Sequence, residues 1–219
     1  AKLVFCFEND PERSDGVISG AQDALGICMP GLARHYYDQR FWPVKIETCS
    51  DEKVLSWLEE HICLIPMFPR RPGCSVVEGK DITLPKVKAL AKAADDCWNA
   101  ILDMDLDRFA AAYKASFEAQ VAMFPGMVNP TSTDGATTEN PSSHIQKGIA
   151  QGDLTSAKSS EEEFLPSVQA YIDEYSRMPG VLAWKMPGAG GGGYLALVCT
   201  SRHTFPKGAI EITVRRGGM

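Results

Sequence analysis

The sequence predicts an α+β fold. Short apolar runs of strand length alternate with longer amphipathic stretches, and breaker residues separate the two kinds of segment. Two of the amphipathic stretches, 84–102 and 106–123, are long enough for helices of about five turns each. We find no internal repeat, so strands interleaved with helices favour an α+β protein over a repeat array.

The first quarter of the chain is predicted to contain a strand, a helix and a hairpin. The apolar run 3–7 suits a short strand. A helix is expected over 19–28, with Ser19 as its N-cap. The runs 32–37 and 42–47 are strand-like and lie about four residues apart, which indicates a hairpin.

The rest of the chain is predicted to alternate helices and strands around one irregular segment. At 129–165 Thr, Ser, Gly, Asn and Glu accumulate and periodicity is lost, so this segment is interpreted as a flexible loop or insertion. The other elements are expected as follows: a helix from about 50 to 61, a strand at 62–67, the long helices 84–102 and 106–123 with Asp105 capping the second, a helix at 166–178, and strands at 181–186, 194–199 and 209–214.

Composition excludes several functional classes. The formal net charge of -6 argues against a nucleic-acid binder, which needs a basic surface. No apolar run approaches the ~20 residues that span a bilayer, and the first residues are too short and too soon charged for a signal peptide. The seven cysteines are scattered and never form a C-x-x-C pair, which favours reduced thiols. We therefore expect a cytoplasmic protein that binds neither nucleic acid nor membrane.

The most informative stretch is 185–194, which reads KMPGAGGGGY. Five of the six positions 188–193 are glycine, and apolar runs flank the stretch on both sides. Glycine allows a positive φ and a close approach of another backbone or a ligand, at an entropic cost. A simple turn needs only one or two glycines, so this loop is predicted to pack against something bulky and polar, such as a phosphate.

Other interpretations of the glycine loop were weighed. Gly188, Gly190 and Gly193 satisfy G-x-G-x-x-G, but a dinucleotide site requires a helix directly afterwards, and here a buried strand is expected to follow. The Walker A pattern is absent. A flexible hairpin turn without a ligand stays open as the alternative.

Asp23 is the second candidate functional residue. It lies among small residues near the start of a predicted helix. A carboxylate there ordinarily only stabilises the helix dipole, by a few tenths of a kcal/mol up to about 1. The small neighbours leave space around a single acid, as a substrate pocket requires.

Arg70 and Arg71 lie between prolines in a basic loop. They are equally well interpreted as contacts to an anionic or hydroxyl-rich ligand or as solvated charges. The acidic series at Asp103, Asp105 and Asp107 lacks the Gly and Glu of a calcium loop and is interpreted as a helix cap. The four histidines show no ligand spacing, so no metal site is predicted.

Together, the segment from Gly20 to Asp23 and the loop 185–193 resemble motifs of the GHMP small-molecule kinases. The match is best to the branch that holds galactokinase, fucokinase and the heptose-phosphate kinases. In that family a G-x-x-D segment supplies an acid facing the acceptor hydroxyl, and a late K-x-x-G-A-G-G-G-G loop packs against the nucleotide and substrate site. The loop match is specific, whereas the G-x-x-D match gains weight only beside it.

The resemblance implies an ATP-dependent sugar kinase with Mg²⁺. It implies Asp23 as the general base, and it implies that Gly188, Ala189, Gly190, Gly191, Gly192 and Gly193 shape the phosphate end of the pocket. Gln22, Arg70 and Arg71 are candidate substrate contacts. Phosphoryl transfer asks the protein for positioning, charge neutralisation and one residue that accepts the hydroxyl proton.

The family's phosphate-binding segment, P-x-x-x-G-L-G-S-S-[AS], occurs nowhere in the 219 residues. The resemblance then implies the end of the family's N-terminal domain at 1–49 and a ferredoxin-like C-terminal domain at 50–216, with the insertion 129–165 inside it. The missing N-terminal half is expected in the same polypeptide. The alternative is a catalytically inactive remnant that binds a sugar or a partner protein. An unrelated α+β binding domain with a coincidental glycine loop is the third hypothesis.

Overall fold

The computed structural model describes residues 1–10, 12, 18–69, 74–75, 79–129, 131–132 and 167–217. Within these ranges the chain is mixed α+β, as the sequence predicts. The helices are α1 (Lys2–Glu8), α2 (Gln22–Cys28), α3 (Glu52–His61), α4 (Leu84–Leu102), α5 (Leu106–Met123) and α6 (Val168–Tyr175). The strands are β1 (Leu32–Tyr36), β2 (Lys45–Cys49), β3 (Ile62–Pro66), β4 (Cys74–Ser75), β5 (Thr131–Ser132), β6 (Val181–Lys185), β7 (Tyr194–Cys199) and β8 (Ile210–Glu211).

The main sheet has four strands in the order β6-β7-β3-β8, and every neighbouring pair is antiparallel. Strand β3 lies beside β7 with Ile62 opposite Val198 and Pro66 opposite Tyr194. Two further pairs, β1 with β2 and β4 with β5, are also antiparallel. The glycine loop therefore connects two adjacent strands at one end of the main sheet.

The main sheet is buried on both faces. On one face Ala183 and Val198 pack with the buried side chains of α3, α4 and α5, Phe109 among them. On the other face Leu195 and Leu197 pack with α6 and with the residues around Met127. Because successive side chains of a strand point to opposite faces, the uninterrupted apolar sequence of β7 is what a strand covered on both sides requires.

Polar contacts hold the first 49 residues to the rest of the chain. The guanidinium of Arg215 donates to the carbonyls of Ile27 and Met29 at the end of α2. Arg34 on β1 forms an ion pair with Asp95 on α4. In contrast, α1 has no buried residue, and its Phe5 ring contacts the edge of Trp42 at 5.6 Å between centroids.

Most predicted elements are confirmed. The helices α4 and α5 have the predicted bounds, and Asp105 caps α5 by accepting a hydrogen bond from the Arg108 amide. The hairpin of β1 and β2, helix α3 and strands β3, β6 and β7 also form where they are expected, within a few residues. Of the predicted loop or insertion 129–165, residues 130 and 133–165 lie outside the described residues.

Three predictions are wrong in detail. The stretch 3–7 is helical, because a short apolar run fits either period and none of the described strands pairs with it. Ser19 does not cap α2: Ala21 is the N-cap, and the Ser19 amide donates instead to the Asn9 side chain at 2.7 Å. The last strand, predicted at 209–214, forms only at Ile210–Glu211. Beyond it the Val214 amide donates a hydrogen bond to the Glu59 side chain of α3 instead of to a neighbouring strand.

Candidate functional site

The glycine loop between β6 and β7 has a backbone that only glycine adopts readily. Gly190, Gly191, Gly192 and Gly193 all have positive φ, at 82°, 75°, 143° and 92°, and Gly188 has a φ of 73°. An L-residue in the left-handed region costs roughly 1–2 kcal/mol, so the glycines are a requirement of the path that the chain takes.

One side of the loop is held by backbone hydrogen bonds to residues that follow β3 and α5. The Gly191 amide donates to the Met127 carbonyl at 2.9 Å, and the Gly193 amide donates to the Phe68 carbonyl at 2.8 Å. Gly190 is buried, and a Cβ there would lie 2.9 Å from the Cα of Met127. The amides of Gly191 and Gly193 are thus used by the fold itself, which excludes them as donors to a ligand.

The other side of the loop is open. Gly188 and Ala189 are exposed, and a Cβ built on Gly188 or on Gly193 would meet nothing within 4 Å among the described residues. The carbonyl of Gly188 accepts a long hydrogen bond of 3.4 Å from the Gln120 side chain of α5. This open side is where a ligand has room to approach the backbone.

Lys185 is the last residue of β6 and lies just before the loop. Its side chain is half-buried against α5, where Nζ donates to the Ser116 hydroxyl at 2.9 Å. Burial lowers the pKa of the Lys185 ammonium, and the neighbouring Cys97 thiol raises it by a smaller amount. Burial raises the pKa of Cys97 to about 11, and it also raises the pKa of Tyr113.

Asp23 lies in the first turn of α2 and is exposed, as is Gln22 beside it. In the described part of the chain no hydrogen bond or ion pair engages the Asp23 carboxylate, and none connects it to the glycine loop. Within the described ranges the side chain is therefore available to contact a ligand. Arg70 and Arg71 lie outside the described residues, so their role as substrate contacts stays a prediction.

A groove of about 510 Å³ lies between α5 and α6. Its polar lining includes Lys114, Glu118 and Gln169, and its floor includes Trp184. The Lys114 ammonium lies over the Trp184 ring at 4.8 Å from the centroid, a cation–π arrangement. This groove is not predictable from the sequence, because its walls come from separate segments of the chain.

Sequence reasoning also missed the roles of Ser116 and Gln120. The two residues lie four positions apart on α5, on one face of the helix, and touch Lys185 and Gly188 respectively. Their spacing is the only signal in the sequence, and it does not say which strand the face meets.

No group of three or more His, Cys, Asp or Glu side chains close enough to hold a metal occurs in the ranges that the structure describes. Magnesium in a nucleotide site is held by waters, the substrate phosphates and only one or two carboxylates, so such a group is not required for the Mg²⁺ that the resemblance implies. None of the helices described is both long and apolar enough to cross a membrane.

The sequence was compared with known families and with curated proteins. No protein-family model matches it, and no curated protein matches it.

Proposed function

We propose that this chain is the C-terminal portion of an ATP-dependent sugar kinase of the GHMP type, which phosphorylates a hydroxyl of a sugar or sugar phosphate. The observation that carries the proposal is the glycine loop: four successive glycines with positive φ, fastened on one side and open on the other. The hydrogen bonds to Met127 and Phe68 account for one side of this path, and the open side near Gly188 leaves room for a phosphate to approach the backbone closely.

The topology supports the same proposal. Along the chain the four strands of the main sheet are β3, β6, β7 and β8, and across the sheet their order is β6-β7-β3-β8. The helices α4, α5 and α6 lie between β3 and β6 along the chain. This is the order of a ferredoxin-like domain, the architecture that the resemblance implies for the C-terminal part. The connection from β7 to β8 holds only a 3₁₀ turn, Arg202–Thr204, where a ferredoxin-like domain has a second helix.

Each residue of the proposed site has a defined task. ATP supplies the phosphoryl group when bound, with Mg²⁺ on its phosphates. The Asp23 carboxylate accepts the proton of the acceptor hydroxyl, and the open side of the loop near Gly188 shapes the phosphate end of the pocket. We place the reaction in the cytoplasm, because the cysteines that the structure describes in full are free thiols.

The test is the substitution Asp23→Ala in the full-length protein, assayed by ATP turnover with galactose, fucose and a phosphorylated heptose. A positioned general base contributes about 10²- to 10⁴-fold, so turnover should fall by that factor while the melting temperature stays the same. Asp107→Ala is the control, since Asp107 is also an exposed acid in the first turn of a helix. Unchanged turnover in Asp23→Ala would refute the assignment of the base. Sugar binding without any turnover by the wild-type protein would favour the inactive remnant.

A further inference from the structure

Among the residues that the structure describes, no opposite charge neutralises the ammonium of Lys185. The ammonium is half-buried between β6 and the helices α4 and α5, and its hydrogen-bond partner is the Ser116 hydroxyl. The other groups that face it are the Cys97 thiol of α4 and, through Ser116, the carbonyl of Tyr113. No carboxylate in the described ranges forms an ion pair with it.

Such an arrangement is unfavourable for stability. Burying a charge without an opposite charge loses hydration that a single hydroxyl does not replace. The lowered pKa of Lys185 reports the same loss. The fold therefore tolerates this ammonium despite its effect on stability.

The surrounding hydrogen bonds do not depend on the charge. The Ser116 hydroxyl donates to the Tyr113 carbonyl at 2.8 Å, so Ser116 keeps a partner when the ammonium is removed. An uncharged side chain of similar length, such as Met, would fill the same space without leaving a buried polar atom unpaired. A purely structural role for the charge is thus not what the contacts indicate.

The place of Lys185 indicates what uses the charge. The residue lies three positions before Gly188, whose exposed backbone is bonded to Gln120, one turn along α5 from Ser116. The cation and the open side of the loop therefore belong to the same end of the sheet. An anion bound between Lys185 and Gly188 would pair with the ammonium and at the same time approach the glycine backbone.

We propose that Lys185 binds a phosphoryl oxygen of the ligand at the glycine loop and so positions the anionic group there. This rests on the proposed function, in which the phosphoryl oxygen comes either from the nucleotide or from a phosphorylated acceptor sugar. Both sources present the same chemistry to the ammonium, and the experiment separates them.

The experiment measures binding and catalysis by the full-length protein and three variants. Lys185→Met removes the charge, Lys185→Gln removes the charge but keeps a donor for Ser116, and Lys88→Met is the control on an exposed lysine of α4. Calorimetry gives the Kd for inorganic triphosphate and for MgATP. Steady-state assays give the KM for MgATP and for the phosphorylated heptose.

Loss of a hydrogen bond to a charged group should weaken binding about 10- to 100-fold in both Lys185 variants, with Lys88→Met unchanged. The melting temperature of Lys185→Met should equal or exceed that of the wild-type protein. A raised Kd for triphosphate assigns the ammonium to the nucleotide, whereas a raised KM for the heptose phosphate alone assigns it to the acceptor.

Unchanged binding constants and unchanged KM values in both Lys185 variants would overturn the proposal while leaving the kinase function intact. A large drop in melting temperature for both variants, with ligand binding retained at low temperature, would also overturn it and make Lys185 structural. If the wild-type protein transfers no phosphate but loses triphosphate binding in the variants, the kinase proposal fails and the anion site stands. Failure of the wild-type protein to bind triphosphate or the phosphorylated sugar would overturn both.

Discussion

The packing of the glycine loop against Met127 gives a quantitative prediction, tested by comparing Gly190→Ala with Gly188→Ala. Both glycines have a left-handed backbone, with φ of 82° and 73°. They differ in their surroundings. A Cβ on Gly190 would lie 2.8 Å from the Cβ and 2.9 Å from the Cα of Met127, whereas a Cβ on Gly188 would meet nothing within 4 Å.

The two substitutions therefore share one energetic effect and differ in another. The left-handed conformation costs roughly 1–2 kcal/mol for alanine, of which about 0.4–1 kcal/mol is offset by the lower entropy of the unfolded chain. Gly188→Ala should accordingly cost about 0–1.6 kcal/mol. In Gly190→Ala the new methyl group also has to displace backbone atoms of Met127, which is 1% exposed, and overpacking of this kind costs typically about 1–3 kcal/mol.

The difference between the two variants isolates the contact with Met127, and we expect it to be about 1–3 kcal/mol. For a domain of this size that corresponds to a melting temperature lower by roughly 2–12 °C in Gly190→Ala than in Gly188→Ala. Urea and thermal unfolding of both variants measure it. Equal stabilities, or a more stable Gly190→Ala, would refute the placement of Gly190 against Met127.

Two further predictions concern stability away from the loop. The ring nitrogen Nε2 of His35 is buried without a partner among the described residues, and burial lowers the pKa of this side chain. As the pH is lowered, His35 therefore binds a proton in the unfolded chain at a higher pH than in the folded protein. The melting temperature should therefore fall as the pH drops below about 6.5, more steeply in the wild-type protein than in His35→Phe; parallel pH curves would contradict this. The Asp105 carboxylate caps α5 by accepting a hydrogen bond from the Arg108 amide at 3.0 Å. Asp105→Ala removes this cap and should lower the free energy of unfolding, measured in urea, by about 0.5–2 kcal/mol. Asp107→Ala, in the same first turn but not the cap, should cost less, and equal losses would mean that charge rather than capping matters.

The parts of the fold that the sequence predicted well are those in which local signals agree. Helices α4 and α5 combine a long amphipathic period with clear ends, and Asp105 marks the start of the second. The run 3–7 was mispredicted because five apolar residues suit a strand and a helix equally, and a distant contact with Trp42 accompanies the helical form. Local sequence does not contain that contact.

The candidate site was predictable only in part, for the same reason. The glycine loop was placed correctly between two strands, since glycine composition and flanking apolar runs are local features. Its partners Met127, Phe68 and Gln120 lie more than 60 residues away along the chain, and only the folded protein brings them to the loop. The role of Asp23 stays a prediction, because it depends on a ligand rather than on contacts within the chain.

Several features that work against stability lie in one short stretch. Within 185–193 the chain holds an ammonium that has no counter-charge among the described residues, and five glycines with positive φ. Other such features lie outside this stretch: Gln39 and Met104 have positive φ, and Nε2 of His35 is buried without a partner among the described residues. Most local features nevertheless agree with the fold: Asp51, Asp105 and Ser167 cap their helices, and the strands of the main sheet bury apolar side chains on both faces. Natural sequences depart from local consistency mainly where function requires it. The ammonium at the end of β6, three residues before the exposed Gly188, is the departure for which we propose a ligand, and this proposal is why Lys185→Met is expected to separate stability from binding.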